Sequence, residues 1–237
     1  MCIRDRRPRE LWAGGAPVVV TTLQSLDPGP VAGRETPGIR LDYTGPVIAA
    51  LEAGRGSAAD SAGQASILVS LSTTFIAGQS RLLQKILDAA ADLPVHLIVT
   101  TGPAIEPAEL HAAANAEVHA FLPHAEVMPR VSLVVGHGGH ATTMLALAHG
   151  LPLVILPMNL QFDQPIIGEV VQKAGAGLSL KSGSSGADIR RAIERMLAAG
   201  SHRAEAAHLG AEIRASGGAV AAADLLQAAV LAPASRP

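Results

Sequence analysis

Short apolar runs alternate with amphipathic stretches along most of the chain from Ser66 onward. The runs are continuous rather than alternating in polarity, which is typical of strands buried on both faces of a parallel sheet. They cover residues 66–71, 95–100, 116–120, 131–135, 153–156 and 177–180. Between the first two runs, Leu83, Ile86 and Ala90 belong to an apolar stripe of helical period. The pattern predicts an α/β fold with a doubly wound, Rossmann-like parallel sheet.

Both ends of the chain differ from this regular region. Pro17 to Thr22 and Tyr43 to Ile48 are predicted as two short strands. Residues 53–64 are mostly small and polar and show no apolar period, so we interpret them as a linker. After Ala187, apolar residues such as Ile189 recur at helical spacing and predict terminal helices.

A glycine-rich turn joins one predicted strand to a helix. Residues 136–143 read Gly-His-Gly-Gly-His-Ala-Thr-Thr, between the run that ends at Val135 and a helix-forming segment from Met144. Gly138 and Gly139 leave backbone N–H groups accessible at the start of a helix, where the helix dipole favours an anion. The favoured ligand is a phosphate, although many α/β proteins use such a turn only to change direction.

Further segments surround this turn in a recognisable order. They are Leu122-Pro123-His124 before it, and Ala148 to Leu153, Leu156-Pro157-Met158, Asp163-Gln164-Pro165 and Gly175 to Leu178 after it. Together they resemble the nucleotide-sugar-binding half of the GT-B glycosyltransferases over residues 66–232. The resemblance is strongest to the UDP-glycosyltransferase family, in particular to its bacterial members that glycosylate macrolides and flavonoids. It implies that the chain is the C-terminal half of a GT-B glycosyltransferase.

The resemblance also implies a division of the chain. Residues 66–232 form the nucleotide-sugar-binding domain, and 233–237 form a tail. Residues 1–65 correspond to a remnant of the N-terminal acceptor domain and the interdomain linker. Residues 1–6 have neither an apolar signal core nor an amphipathic pattern and look like a non-native leader. We therefore expect an N-terminally truncated protein.

The resemblance assigns roles on the phosphate side of the site. His137 stands where the family has a histidine that donates to the diphosphate, and Thr142 stands where a hydroxyl holds the phosphate. Gly138 and Gly139 allow close approach of the backbone, and Thr73 is a hydroxyl donor in the loop after the first strand of the sheet. The structural alternatives are that His137 caps the turn or packs on the sheet, and that Thr142 is an ordinary helix-start residue.

Other residues correspond to the base and sugar contacts of the family. Leu122 and His124 stand where the family contacts the nucleobase. Asp163 and Gln164 correspond to a carboxylate and an amide that bind sugar hydroxyls, since a carboxylate accepts hydrogen bonds and an amide both donates and accepts them. The alternative for Asp163 is a helix N-cap, with Pro165 in the first turn.

One position departs from the family. Leu145 occupies the place where many members have a glutamate that binds the ribose hydroxyls. Recognition of ribose is therefore expected to be weakened or done elsewhere. The donor is expected to be a UDP- or dTDP-sugar. Either the bound nucleotide contains deoxyribose, or the protein binds its nucleotide poorly.

The resembled enzymes transfer a hexose from the nucleotide to a hydroxyl of a small-molecule acceptor, with inversion at the anomeric carbon. This reaction needs a base for the acceptor proton and stabilisation of the leaving diphosphate. In the family, the base is a histidine of the N-terminal domain, and no histidine precedes residue 65 here. No catalytic residue is therefore assigned, and we expect the chain alone to bind the donor without useful turnover.

Three other functions are open to the same fold. A catalytically silent nucleotide-sugar-binding module would keep the donor site and lose the chemistry. A GT-B epimerase or a lipid-linked-sugar transferase would share the fold with a different reaction. A dinucleotide-binding oxidoreductase is disfavoured, because the first strand runs into Ser70-Leu71-Ser72-Thr73-Thr74 rather than a G-x-G-x-x-G turn.

Composition removes several classes of partner. A net charge of −2 and an aromatic content of 2% argue against nucleic-acid binding. No apolar run reaches the ~18 residues of a membrane span.

The single cysteine, Cys2, excludes an intrachain disulfide, and we expect a cytoplasmic protein. His137 and His140 lack an acidic or cysteine ligand at suitable spacing, so neither a metal nor another cofactor is expected.

Overall fold

The computed structural model describes residues 18–27, 40–48 and 64–231. The chain divides into two compact units, one formed by Met1–Ile48 with Ile213–Pro237 and the other by Ala49–Glu212. The predicted leader, the predicted tail and all but the last residue of the predicted linker lie outside the described residues. The domain boundary that we placed between residues 65 and 66 stays a prediction.

The smaller unit contains two short parallel strands, β1 (Val18–Val20) and β2 (Leu41–Tyr43). The first lies within its predicted segment, whereas the second ends where the predicted strand begins. Gly45 has a φ of +80°, outside the strand region, and Pro46 has no N–H for a ladder. The prediction of a strand over residues 43–48 was therefore wrong, because these two residues end the pairing.

The larger unit is built on a six-stranded sheet. Its strands are β3 (Ala65–Ser70), β4 (Val95–Thr100), β5 (Ala116–His119), β6 (Leu133–Gly136), β7 (Leu153–Ile155) and β8 (Gly177–Ser179). They lie in the order β5-β4-β3-β6-β7-β8, and every neighbouring pair is parallel. All the strands predicted for this region are confirmed, with small differences at their ends.

Helices connect and cover these strands. In the larger unit they are α1 (Gln79–Ala90), α2 (His124–Val127), α3 (His140–Ala148), α4 (Gln164–Lys173), α5 (Gly186–Ala198) and most of α6 (Gly200–Ala215), whereas α7 (Gly218–Leu231) belongs to the smaller unit. The step from β3 to β4 runs opposite to the step from β6 to β7, so right-handed crossovers place α1 and α3 on opposite faces. The doubly wound α/β fold is thus confirmed. Among the described helices, none combines the length and apolar character that a membrane crossing requires.

The core on one face of the sheet joins α1 to α5. Leu83 and Ile86 of α1 are fully buried, as the apolar stripe predicts, and Ile189 and Ile193 of α5 belong to the same cluster. The two helices pack directly against each other. The predicted helical segment after Ala187 is therefore confirmed as part of the core.

The direction of the strand order reverses between β3 and β6, which are neighbours in the sheet. Helices that follow these two strands leave in opposite directions, and a crevice opens between them. Because the strands are parallel, the loops after them all lie at the same edge. In open α/β sheets, ligands bind in this crevice, outside the carboxyl ends of the strands.

The packing of α1 on α5 leads to a stability prediction. Replacing the fully buried Ile86 by alanine (Ile86→Ala) removes core contacts and leaves a cavity, so we expect a loss of about 2–5 kcal/mol in the free energy of unfolding. Urea denaturation measures this loss. Leu82, on the same helix but only partly buried, is the control, and Leu82→Ala should cost clearly less. Equal losses would contradict the packing described here.

Candidate functional site

A cleft of about 420 Å³ lies at the carboxyl edge of the sheet. Its walls are the loops after β3, β4 and β5 and the first turns of α3. Four residues to which the family resemblance assigns roles line this cleft, namely Thr73, Leu122, His124 and Thr142. They come from three separate parts of the sequence. The fold thus gathers predicted base-side and phosphate-side residues in one place.

A second, smaller cavity of about 290 Å³ lies between α1 and the loops after β7 and β8. It is lined by the cationic side chains of Arg81, Lys85 and Lys181. None of the residues that the family resemblance assigns to the donor lines it. The cleft of about 420 Å³, which these residues do line, is therefore the candidate donor site.

The start of α3 offers main-chain donors beside this cleft. The first hydrogen bond into the helix runs from the Thr143 N–H to the Gly139 carbonyl, at 3.0 Å. The N–H groups of His140, Ala141 and Thr142 precede this bond and have no partner inside the helix. No side chain caps the helix start. These groups, with the positive end of the helix dipole, suit an anion.

The structure gives Gly138 a role in packing. Its φ is +86°, and a Cβ at this position would lie 2.9 Å from the Gln164 carbonyl oxygen and 3.0 Å from Ile155 Cγ2. The space beside Gly138 is therefore filled by the chain itself. The absence of a Cβ at residue 138 is thus required by packing within the chain, and the sequence-based role of this glycine beside a ligand stays a prediction.

Gly139 has a different reason to be a glycine. A Cβ here would lie 2.7 Å from both Cε1 and Nε2 of His137. The imidazole of His137 thus lies directly against the backbone of Gly139, which is the residue before α3. Two consecutive glycines accordingly serve two purposes: one permits the turn, and the other brings the ring to the start of the helix.

The His137 ring is neutral in the unliganded protein at pH 7. Burial lowers its pKa below the usual 6.5, and the Asp163 carboxylate partly opposes this shift. The buried Nδ1 atom has no hydrogen-bond partner within the part of the chain that the structure describes. Burial lowers the pKa of His124 and of His140 in the same direction. The region therefore presents three neutral imidazoles.

Asp163 and Gln164 follow β7 at the start of α4. Gln164 is only 4% exposed, and its Oε1 accepts hydrogen bonds from the N–H groups of Met158 (2.8 Å) and Asn159 (3.0 Å). Its amide oxygen is thus used to hold the preceding loop. Asp163 is exposed and its side chain makes no capping hydrogen bond, although Pro165 does occupy the first turn. Asp163 therefore occupies the N-cap position of α4, as the alternative from the sequence proposed, but its side chain does not cap the helix.

Sequence reasoning missed Gln79, the first residue of α1. Its side chain is 1% exposed and donates from Nε2 to the main-chain carbonyls of Ser72 (2.7 Å) and Thr101 (3.3 Å). These carbonyls belong to two loops of the cleft. The sequence did contain a signal for this residue. Gln79 lies on the same apolar face of the helix as Leu83 and Ile86, and a polar side chain that is buried there needs hydrogen-bond partners.

The described residues contain no group of three or more His, Cys, Asp or Glu side chains arranged to hold a metal ion. His137 and His140, the pair considered from the sequence, both lie at the start of α3 near Asp163.

Comparison with known proteins identifies the family. The family described as "Erythromycin biosynthesis protein CIII-like, C-terminal domain" matches residues 84–226. The chain belongs to this family. Its members are natural-product glycosyltransferases, so the resemblance to the GT-B glycosyltransferases drawn from the sequence is confirmed.

Individual relatives agree with this assignment. The chain is 28% identical over 195 residues to an uncharacterised UDP-glucosyltransferase, YojK, of Bacillus subtilis (strain 168), covering 81% of this chain and 48% of the relative. It is 35% identical over 151 residues to the 4'-demethylrebeccamycin synthase of Lentzea aerocolonigenes, covering 63% of this chain and 35% of that protein. The chain therefore spans about half the length, or less, of these relatives.

Solved structures support the fold of this family member. The calicheamicin glycosyltransferase CalG4 superimposes with a TM-score of 0.75 and 27% sequence identity, over 92% of this chain and 53% of CalG4. A glycosyltransferase of kitacinnamycin gives a TM-score of 0.71 with 26% identity, over 90% of this chain. The GT-B assignment therefore agrees in sequence and in structure.

The two reasons for a glycine at residue 138 can be separated experimentally. Gly183 also has a positive φ, of +87°, but open space where a Cβ would lie, so Gly183→Ala should cost only the backbone strain of about 1–2 kcal/mol. Gly138→Ala adds a clash with the Gln164 carbonyl and Ile155, and should cost at least about 1 kcal/mol more. Chemical denaturation of both variants measures the difference. Equal costs would mean that the chain relaxes around residue 138 without penalty.

Proposed function

We propose that this chain binds the nucleotide-sugar donor of an inverting glycosyltransferase, as its donor-binding half. The supporting observation is the convergence of Thr73, Leu122, His124 and Thr142 on one cleft, beside a helix start with unpaired N–H groups. The donor is a UDP- or dTDP-sugar, and the nucleotide lies in the 420 Å³ cleft with its diphosphate near α3. A cytoplasmic location is part of the proposal.

The proposed chemistry is stabilisation of the leaving diphosphate. His137, Thr142 and the first N–H groups of α3 donate to the phosphate oxygens as the glycosidic bond breaks. Because Ala141 and Thr142 at the start of α3 already line the cleft, their groups need little reorganisation when charge develops. The proposal involves no metal ion and assigns none of these residues as a base.

The acceptor half of the reaction is proposed for the parent protein. A base has to remove the proton of the acceptor hydroxyl, and it would belong to an N-terminal domain of the kind found in GT-B enzymes. The acceptor is proposed to be a small molecule and the transferred group a hexose. The chain alone is expected to bind the donor without transferring sugar, and sugar transfer by the purified chain would contradict this part.

The cleft favours a deoxyribose nucleotide. Leu145 lines it and is 8% exposed, at the position where related enzymes carry a ribose-binding glutamate. None of the described residues that line the cleft is acidic. Ribose hydroxyls that enter an apolar wall lose hydrogen bonds to water without replacement. The proposed preference is therefore for dTDP over UDP.

The neutral state of His137 leads to a pH-dependent prediction. A bound diphosphate favours the imidazolium form and raises the lowered pKa of His137, so binding takes up protons and affinity increases as the pH falls from 8 toward 6. His137→Ala should weaken dTDP binding by about tenfold or more and remove most of the proton uptake. Calorimetric titration in buffers of different ionisation enthalpy measures both quantities.

A matched control for this experiment is His208→Ala, since His208 is exposed on α6 and does not line the cleft. This variant should bind dTDP like the unaltered chain. No saturable binding of UDP or dTDP to the folded chain would argue against the proposed donor site. Binding that is equal in the His137 and His208 variants would remove His137 from it.

The nucleotide preference depends on one side chain and can be reversed. Leu145→Glu places a carboxylate on the cleft wall that accepts hydrogen bonds from ribose hydroxyls, so the ratio of UDP to dTDP affinity should rise by about fivefold to tenfold. Parallel calorimetric titrations with the two nucleotides give the ratio. Leu145→Met keeps the volume and the apolar character, and should leave the ratio unchanged. An unchanged ratio in the glutamate variant would place the ribose elsewhere.

A further inference from the structure

We infer that Gln79 is a positioning residue. It holds the peptide between Ser72 and Thr73 in place, and so directs the main-chain N–H of Thr73 toward the donor phosphates. Gln79 does not line the cleft and contacts no ligand in this scheme. It acts through the loops after β3 and β4. The inference rests on the proposed donor site, since it names one way in which that site is kept in shape.

The side chain of Gln79 links the two loops directly. Its Nε2 lies 2.7 Å from the Ser72 carbonyl oxygen and 3.3 Å from the Thr101 carbonyl oxygen. Both partners are acceptors, so the bridging group has to supply two N–H donors, as a primary amide does. The loops also touch each other there, since a Cβ on Gly102 would lie 3.3 Å from the Ser72 carbonyl oxygen.

Because the peptide bond is planar, the hydrogen bond to the Ser72 carbonyl also sets the direction of the Thr73 N–H. In a trans peptide, the carbonyl and the following N–H point in opposite directions. The Ser72 carbonyl points toward Gln79, so the Thr73 N–H points away from Gln79, and Thr73 lines the cleft. No hydrogen bond among the described residues uses this N–H. It is therefore available to a phosphate oxygen.

The side chains next to Ser72 do not hold its peptide in place. The side chains of Thr73, Thr74 and Phe75 are exposed, and that of Phe75 is 68% exposed. The Ser72 hydroxyl accepts from the Thr74 N–H at 3.1 Å, a bond inside the loop that does not tie it to the sheet. On the other side, the N–H that follows the Thr101 carbonyl is already fixed, because Gly102 donates to Ala120 at 3.0 Å. Gln79 thus joins the less supported loop to a well supported one.

The chain keeps this amide at an energetic cost. The Gln79 side chain is 1% exposed, and its Oε1 has no hydrogen-bond partner among the described residues. A buried acceptor without a partner costs about 1–3 kcal/mol. An apolar residue of similar volume would remove that cost, but it would leave the Ser72 peptide free to rotate. The orientation of the peptide explains why an amide stands on the apolar face of α1.

The experiment compares three variants of the full chain, with dTDP and thymidine as ligands. Gln79→Met keeps the volume and loses the donors, and Gln79→Glu replaces donors with acceptors. Gln84→Met is the matched control. Gln84 also links α1 to a loop, by donating to the His111 carbonyl and accepting from the His111 N–H, but it does not line the cleft. Calorimetry measures dTDP affinity, and NMR titration measures thymidine affinity and the amide resonance of Thr73.

We expect both Gln79 variants to bind dTDP about tenfold more weakly, while thymidine affinity stays within about twofold of the unaltered chain. The Thr73 amide resonance should lose its dTDP-dependent shift. Gln84→Met should change neither affinity. Unchanged dTDP affinity in Gln79→Met, or an equal loss for dTDP and thymidine, overturns the inference. An unaltered chain that binds no dTDP instead overturns the proposed donor site, so the two failures are distinguishable.

Discussion

The constraint on which the structure depends is that the central strands are buried on both faces. Ile67, Leu97 and Leu133 have no exposed surface, and they lie on three adjacent strands of the sheet. These strands are parallel, and a parallel sheet buried on both faces needs helices to cover each face. All the loops at the carboxyl ends then lie at one edge, and the reversal of strand order between β3 and β6 opens a crevice there. The location of the candidate site follows from the burial of the strands.

At this edge, the protein presents hydrogen-bond donors with little positive charge. The first N–H groups of α3 have no helical partners, and burial keeps the imidazoles of His124, His137 and His140 neutral by lowering their pKa values. A site built in this way avoids burying several cations without a ligand. An arriving diphosphate brings the charge itself, and it favours the protonated form of the nearest ring.

Two buried glutamines hold the loops of this edge in complementary ways. Gln79, at the start of α1, donates to the carbonyls of Ser72 and Thr101, whereas Gln164, at the start of α4, accepts from the N–H groups after β7. Loops at the ends of strands lack the ladder that orders the strands themselves. A primary amide can serve either kind of main-chain group, so it suits the junction between a helix and an irregular loop.

The sequence by itself determined the sheet, the doubly wound fold and the family, because continuous apolar runs and the turn at residues 136–139 are local patterns. It failed at residues 43–48, where Gly45 and Pro46 end the pairing. Only the tertiary structure decided why Gly138 is a glycine, what Gln164 holds and where Gln79 acts, because each answer depends on a contact between distant segments. The order of apolar residues along the chain predicts which strands are buried. The hydrogen-bond partner of a buried amide, in contrast, is determined only when distant loops come together.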